Sequence, residues 1–311
     1  STLNLLFLSL TWTTIAASYS PLQLEFFAPL VLRLTLYVIP SLLCLAFDTA
    51  MPSLALEIKT HGLPQRNANK GGIRTVALWS FVNVLLGVGV QAGVEWGVTS
   101  GLGMRSLLVI KGSRWTFNHL PNPWMVGKHA VVALLARNIL QYYIHTHVLH
   151  APTPNTLSRW HKSWHHSIRT PYSLAANYDH PVCHLLHRFL PLYLPAIALR
   201  MHILTYLALT ALFSLEETLV YSGYSVLPST IMLRGMARRT DAHMMSEGQG
   251  NFGPTGVLDW WHGTTLGKDV IEDLRVEAEK HDVKDRAGST VSGVAGKIKD
   301  RVGNGSGRGK K

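Results

Sequence analysis

Long apolar segments constrain the fold of this chain more than any other feature of its sequence. A helix needs about 20 residues to cross about 30 Å of hydrocarbon, and residues 26–47, 76–98 and 129–144 approach or exceed that length. The first segment contains one charged residue, Arg33, and the second contains only Glu95. Because a helix satisfies its own backbone groups in lipid, we predict an all-α integral membrane protein with several spans.

The composition supports this prediction and argues against other classes of protein. Hydrophobic residues make up 47% of the chain and charged residues 15%, against about 25% charged in ordinary soluble domains, which excludes a disordered chain. The net charge is +11, but residues 268–311 hold eleven Lys and Arg against eight Asp and Glu, a net of +3. The remaining charge is spread between apolar segments, so we predict contact with anionic lipid and no nucleic-acid partner.

Two further apolar stretches complicate the number of spans. Residues 3–17 are short for a span, and a span, a signal anchor and an interfacial helix all remain open for them. Residues 190–219 are interrupted by Pro191, Pro195 and the polar break at 200–202. Because proline disrupts a helix interior, this stretch predicts a helical hairpin that dips into the membrane.

The pattern divides the chain into three regions. Residues 1–128 form an N-terminal membrane region with two or three spans, residues 129–267 carry most histidines, and residues 268–311 form a charged, flexible tail. The apolar positions between 270 and 276 favour a short surface helix at its start. Two crossings separate the basic loop 48–74 from the histidines, so both lie on one side of the membrane, which the positive-inside rule makes the cytosol.

Histidine is the unusual component of this chain. Nine of its sixteen histidines lie between positions 145 and 187. On a helix, His161 and His165 share one face with His166 beside them, and His180 and His184 repeat the four-residue spacing. Imidazole binds Fe, Zn, Cu and Ni well, so the cluster predicts a transition-metal site at the membrane face, suited to a lipid substrate. Zinc would suit hydrolysis and iron would suit O₂ chemistry on a C–H bond, and the spacing leaves both open.

Several motifs follow one another between residues 141 and 264. His145 and His150 form a first histidine box, and His161, His165 and His166 form a second. The later motifs are His180-Pro181 before His184, Ser222-Gly223-Tyr224, Gly250-Asn251-Phe252-Gly253, and Asp259-Trp260-Trp261-His262-Gly263-Thr264. In content and order they resemble the fatty acid hydroxylase/sterol desaturase superfamily of integral-membrane, non-haem di-iron proteins.

The resemblance implies an O₂-dependent, lipid-modifying oxidoreductase that hydroxylates or desaturates a fatty acyl, sphingoid or sterol C–H bond at a di-iron centre. It implies metal ligation by His145, His150, His161, His165, His166, His180 and His243, with His184 and His262 as additional candidates. It also implies the endoplasmic reticulum as the location, with the histidines facing the cytosol. Because the chain contains no His-Pro-Gly-Gly stretch and no flavin fingerprint, we expect a separate electron donor, such as a cytochrome b5 with its reductase.

The third histidine box departs from the superfamily pattern. An H-x-x-H-H box is expected, but the chain reads Thr240-Asp241-Ala242-His243-Met244, and Tyr221 stands where the superfamily often has another histidine. Residues that could substitute as ligands are His184, His187, His262, Asp241, Glu216 and Glu217. In an apolar hairpin the two glutamates need a metal or an arginine such as Arg200 as a partner. Met244 and Met245 are interpreted as packing or substrate-facing residues.

The incomplete third box motivates an alternative function. A non-catalytic relative could retain the fold and act as a membrane scaffold or lipid-binding protein. A metal transporter is a second alternative, but the histidines cluster in one segment after a span, whereas transport ligands are expected within several spans.

Overall fold

In a computed structural model, residues 2–64, 72–110, 120–228 and 232–280 are described, and in these ranges the chain forms helices and no β-sheet. This confirms the all-α prediction. The helices are α1 (Thr2–Ser18), α2 (Pro21–Ala50), α3 (Pro52–Ile58), α4 (Gly72–Gly101), α5 (Pro123–Ile144), α6 (Thr156–Trp164), α7 (181–198), α8 (Ile203–Val220), α9 (Leu233–Met245), α10 (Val257–His262) and α11 (Val270–Lys280).

Three of these helices, α2, α4 and α8, are long and apolar enough to cross a membrane. The predicted spans at 26–47 and 76–98 lie within α2 and α4. The prediction at 129–144 lies within α5, which is not one of the three, because Arg137 and Gln141 reduce its apolar character. Residues 3–17 lie in α1, an apolar helix shorter than a span.

The stretch at 190–219 forms two helices, as predicted. Helix α7 ends at Ala198, and α8 begins at Ile203 after a turn in which Arg200 has φ +46°. His202 caps α8, because its Nδ1 accepts a hydrogen bond from the Leu204 N–H at 3.2 Å. The two helices pack on different neighbours, α7 on α5 and α8 on α2.

Two arginines within the apolar helices are paired with glutamates on α8. Arg33 on α2 donates to Glu217 at 2.7 Å, and Arg137 on α5 donates to Glu216 at 2.5 Å. An unpaired charge in hydrocarbon is costly, so these ion pairs join α2 and α5 to α8. The two glutamates therefore have arginine partners, as the sequence suggests, but Arg200 is not one of them.

Helix α11 confirms the short helix predicted at the start of the charged tail. Its Asp273 is buried and pairs with Arg238 at 2.6 Å and Arg239 at 2.7 Å, both on α9. The start of the tail is therefore attached to α9 through Asp273. Residues 281–311, where the flexible tail is predicted, lie outside the described residues.

Candidate metal centre

Five histidines from separate parts of the chain bring their ring nitrogens together. They are His145, His150, His161, His166 and His243, and one nitrogen of each lies within 4.8 Å of one nitrogen of every other. Four of the rings are buried and His150 is half-buried. No other group of three or more His, Cys, Asp or Glu side chains has this spacing within the described ranges. We call these residues the five-histidine group.

The first two members come from a π turn that follows α5. Over His145–Leu149 the helix widens, and the His150 N–H donates to the His145 carbonyl at 2.8 Å. This closure places the two rings 4.9 Å apart. In a regular α-helix residues five apart do not share a face, so the π turn is what brings both rings to the same site, as such turns often do.

Helix α6 supplies two more members. It begins at a capping box in which Asn155 and Ser158 each accept the other's backbone N–H, an arrangement that fixes the start of a helix. His161 projects from α6, and the chain then tightens into a 3₁₀ turn at His165–Ser167. This turn directs His166 toward His150, so that their Nε2 atoms lie 3.0 Å apart.

Backbone carbonyls fix the tautomer of two members. His145 Nδ1 lies 2.8 Å from the Phe252 carbonyl, and His243 Nδ1 lies 2.6 Å from the Gly250 carbonyl. A carbonyl oxygen only accepts, so both Nδ1 atoms carry the proton and both Nε2 atoms carry a lone pair. Each Nε2 is buried without a hydrogen-bond partner, which is the state of a histidine prepared to bind a metal.

A carboxylate fixes the tautomer of a third member of the group, His161. Asp179 Oδ2 accepts from His161 Nδ1 at 2.6 Å, and His161 Nε2 is also buried without a hydrogen-bond partner. Carboxylate–histidine pairs of this kind orient metal ligands and raise their basicity. Asp179 was not among the predicted site residues, and its only signal in the sequence is its position directly before the His180-Pro181 motif.

The later sequence motifs shape the loop that carries the carbonyl acceptors. Asp259 is fully buried and accepts from the Phe252 N–H at 2.7 Å, the Gly253 N–H at 2.8 Å and the Thr264 hydroxyl at 2.8 Å. Asn251 adopts a left-handed φ of +54°, and its Oδ1 accepts a hydrogen bond from the Leu266 N–H at 2.9 Å. These contacts place the Phe252 carbonyl against the five-histidine group.

Burial favours the neutral form of His145, His150, His166 and His243, because it lowers their pKa. Desolvation and the neighbouring imidazoles lower the pKa of His145 and His166 well below 6.5. Desolvation also lowers the pKa of His243 to about 4. A neutral imidazole offers a lone pair, whereas an imidazolium does not, so the group is ready to bind a cation at neutral pH. The orphaned Nε2 atoms and the all-imidazole donor set therefore fit a transition-metal ion.

Four of the predicted ligands lie outside the group. His165 stacks beside His161 with ring centres 5.1 Å apart and uses Nδ1 to donate to the Tyr178 carbonyl at 2.8 Å. His180 caps α7 and stacks on Trp160 at 4.0 Å.

The other two are His184 and His262. His184 is buried beside the Arg33–Glu217 pair, and burial with the Arg33 charge lowers its pKa to about 3. His262 is exposed, hydrogen-bonds the Tyr143 hydroxyl at 3.1 Å and stacks on Tyr142.

His187 borders the group more closely than any of these four. Its buried ring lies 4.3 Å from that of His145, and both line a small cavity with His243, Thr240 and Tyr221. From the sequence, His187 was predicted only as a possible substitute ligand. The acidic substitutes have other partners: Glu216 and Glu217 pair with arginines, and Asp241 lies 3.4 Å from His61.

Gly248 lies against His150, and a side chain at this position would displace the ring. A Cβ there would fall 2.0 Å from His150 Cε1, and φ is +85°, a conformation that favours glycine. We expect Gly248→Ala to move His150 and weaken ferrous iron binding by roughly 10–100-fold, the range found when metal-ligand geometry is disturbed. Titration of apo-protein with ferrous iron measures this.

Gly263→Ala is the matched control for Gly248→Ala. Gly263 has a similar φ of +69°, and nothing lies within 4 Å of its Cβ position. The Gly263→Ala substitution imposes the same kind of backbone strain without touching a histidine, so iron binding should be unchanged. Equal weakening in both variants would show that strain, and not displacement of His150, is responsible.

Fold and site together define a helical protein with candidate membrane spans and a buried group of histidines that could hold a metal ion. Residues 130–264 match the fatty acid hydroxylase family, and this segment contains every member of the five-histidine group. The match confirms the superfamily resemblance over this segment. A match to this family indicates the general class of lipid-modifying oxidoreductases. No solved structure matches the chain.

Proposed function

We propose that this protein is an O₂-dependent enzyme that hydroxylates or desaturates a fatty acyl, sphingoid or sterol chain at iron bound by the five-histidine group. The observation that carries the proposal is the set of buried, unpartnered Nε2 atoms on His145, His161 and His243. Buried polar atoms are normally paired. Three such atoms directed at one point are best explained by a metal that they bind.

Iron is the metal that suits this class of reaction. Imidazoles also bind zinc and copper, but zinc has no redox chemistry. Bound iron would activate O₂ for attack on an unactivated C–H bond. In hydroxylation, one oxygen atom enters the lipid and the other leaves as water, and in desaturation both leave as water while the lipid loses two hydrogens. Both reactions consume two electrons and two protons, which we assign to a separate donor of the cytochrome b5 type.

Residues of this chain orient the five-histidine group, and others line two neighbouring cavities beside it. Phe252, Gly250 and Asp179 keep three rings in the metal-binding tautomer. The cavity beside His145 and the cavity between α2, α4 and α8 share Gln141, Arg188 and Glu217 in their walls.

The second cavity is also lined by Val84, Val88, Leu192 and Phe213. This arrangement supports the approach of an apolar chain from the membrane to the metal. By its family, we assign the protein to the endoplasmic reticulum, with the histidines on the cytosolic side.

Heavy-isotope O₂ tests the proposal. Membranes that contain the protein, its electron donor and labelled lipids are exposed to the heavy gas, and their lipids are analysed by mass spectrometry. We expect a product with one heavy oxygen or a product that lacks two hydrogens. Both should vanish in His161→Ala and persist in His180→Ala, since His180 lies outside the group.

Thr240 and Met244, where the superfamily has histidines, favour a second candidate function. A scaffold or lipid-binding protein needs no complete metal centre. Unchanged lipids in the presence of iron-loaded protein and a competent donor would contradict the enzyme and support the scaffold.

A further inference from the structure

We infer that the centre of this protein holds a single metal ion and that the Arg188 guanidinium stands beside it, where the family resemblance implies a second ion. The inference rests on the proposed function only in requiring that the five-histidine group binds metal. It changes the expected centre from a pair of irons to one iron.

The spacing of the donor atoms supports one ion. A metal–imidazole bond is about 2.0–2.1 Å long, so the ligand atoms of one ion lie within about 4 Å of one another. Two ions about 3.5–4 Å apart would spread their outermost ligand atoms over about 8 Å. The five nitrogens all lie within 4.8 Å of one another, and the described residues form no second group of three.

The positions where the superfamily pattern places further histidine ligands hold other residues, which pack in the core or line the cavity. Met244 is fully buried and packs in a hydrophobic cluster with Tyr172 and Ala175. Thr240 lines the cavity beside His145, and Tyr221 lines the same cavity. Outside the five-histidine group, His187 is the imidazole in the wall of this cavity, and one imidazole is too few to hold an ion firmly.

A permanent positive charge lies in the same cavity. Arg188 is part of its wall, and its guanidinium donates to the Tyr221 hydroxyl and lies 5.1 Å from the centre of the Tyr221 ring. Arginine stays protonated in proteins, so it repels a cation at this place under all ordinary conditions.

The nearby carboxylates already have arginine partners, so they cannot compensate for the repulsion between Arg188 and a second cation. Glu216 is paired with Arg137, and Glu217 is paired with Arg33 and with the Asn177 amide at 2.8 Å. Adding a second metal ion would therefore place another cation beside three arginines that share two carboxylates. The five imidazoles, by contrast, lie next to a carboxylate, because Asp179 Oδ2 accepts from His161 Nδ1 at 2.6 Å.

Iron stoichiometry tests the inference. Full-length protein purified in detergent is loaded anaerobically with ferrous iron, freed of excess, and analysed for iron per chain. The ferrous protein is also treated with nitric oxide and its paramagnetic resonance is counted. We expect one iron per chain, with every iron giving the signal of an isolated ferrous–nitrosyl centre. Two irons per chain would overturn the inference and leave the proposed function standing, whereas no iron would overturn both.

A designed variant tests the role of the altered positions. Thr240→His/Met244→His/Arg188→Gln restores the third box and removes the charge, and we expect its iron content to rise from one to two per chain. Thr240→His/Met245→His/Arg188→Gln is the matched control, because Met245 is exposed and its histidine would point away from the site. A folded restored variant that still holds one iron, or a control that gains a second, would contradict the assignment.

Discussion

Replacing His161 with alanine is expected to abolish stable iron binding. His161 sits at the middle of the five-histidine group, with its ring centre 5.3 Å from that of His145 and 5.1 Å from those of His150 and His166. Its removal deletes a ligand and leaves the Asp179 carboxylate without the ring that it orients. Disturbing only the residues behind a ligand costs roughly 10–100-fold in metal affinity, so loss of the ligand should cost at least as much.

The measurement is ferrous iron affinity and retained iron after gel filtration. His180→Ala is the control, because His180 belongs to the same sequence pattern but stacks on Trp160 and caps α7. It should retain iron like the unaltered protein. If His180→Ala lost iron while His161→Ala kept it, the assignment of ligands from this geometry would be wrong.

Replacing Asp273 with alanine is expected to cause the largest loss of stability. Asp273 is 1% exposed and pairs with Arg238 and with Arg239, which is also 1% exposed. Removing one partner of a buried ion pair costs about 3–5 kcal/mol, because the other charge keeps its desolvation penalty. The loss should reach the metal site, since Arg239 lies on the same helix as His243.

Unfolding in detergent, followed by tryptophan fluorescence against denaturant, measures the change for Asp273→Ala. Glu272→Ala is the matched control, because Glu272 is the neighbouring acid on α11 and is exposed. Its effect should stay within about 0.5 kcal/mol, as for most surface substitutions. Equal destabilisation by the two variants would mean that the buried pair with Arg239 is not what holds α11 to α9.

The helices could be predicted from sequence because their signals are local. The apolar runs predict α2 and α4, and the break at 200–202 predicts the hairpin. The partners of the buried charges could not be predicted, because Arg137 and Glu216 are 79 residues apart in the chain and meet only when α5 and α8 pack together.

The candidate metal centre was predictable only in part, for the same reason. Spacing alone treats His180 and His184 like His161 and His165, since both pairs are four residues apart. The structure separates them: the His180 ring caps a helix, and the His161 ring is turned into the centre by Asp179. His187 became apparent only from the long-range approach of its ring to His145.

X-ray absorption at the iron edge of the ferrous-loaded protein shows whether the five-histidine group binds the metal. We expect a first shell dominated by about five imidazole nitrogens at about 2.0–2.2 Å, with the outer-shell pattern of histidine rings. We also expect His161→Ala to remove the signal and His180→Ala to preserve it. Iron with fewer than three imidazole nitrogens, or a spectrum that is unchanged in His161→Ala, would contradict the claim that these five histidines form the metal site.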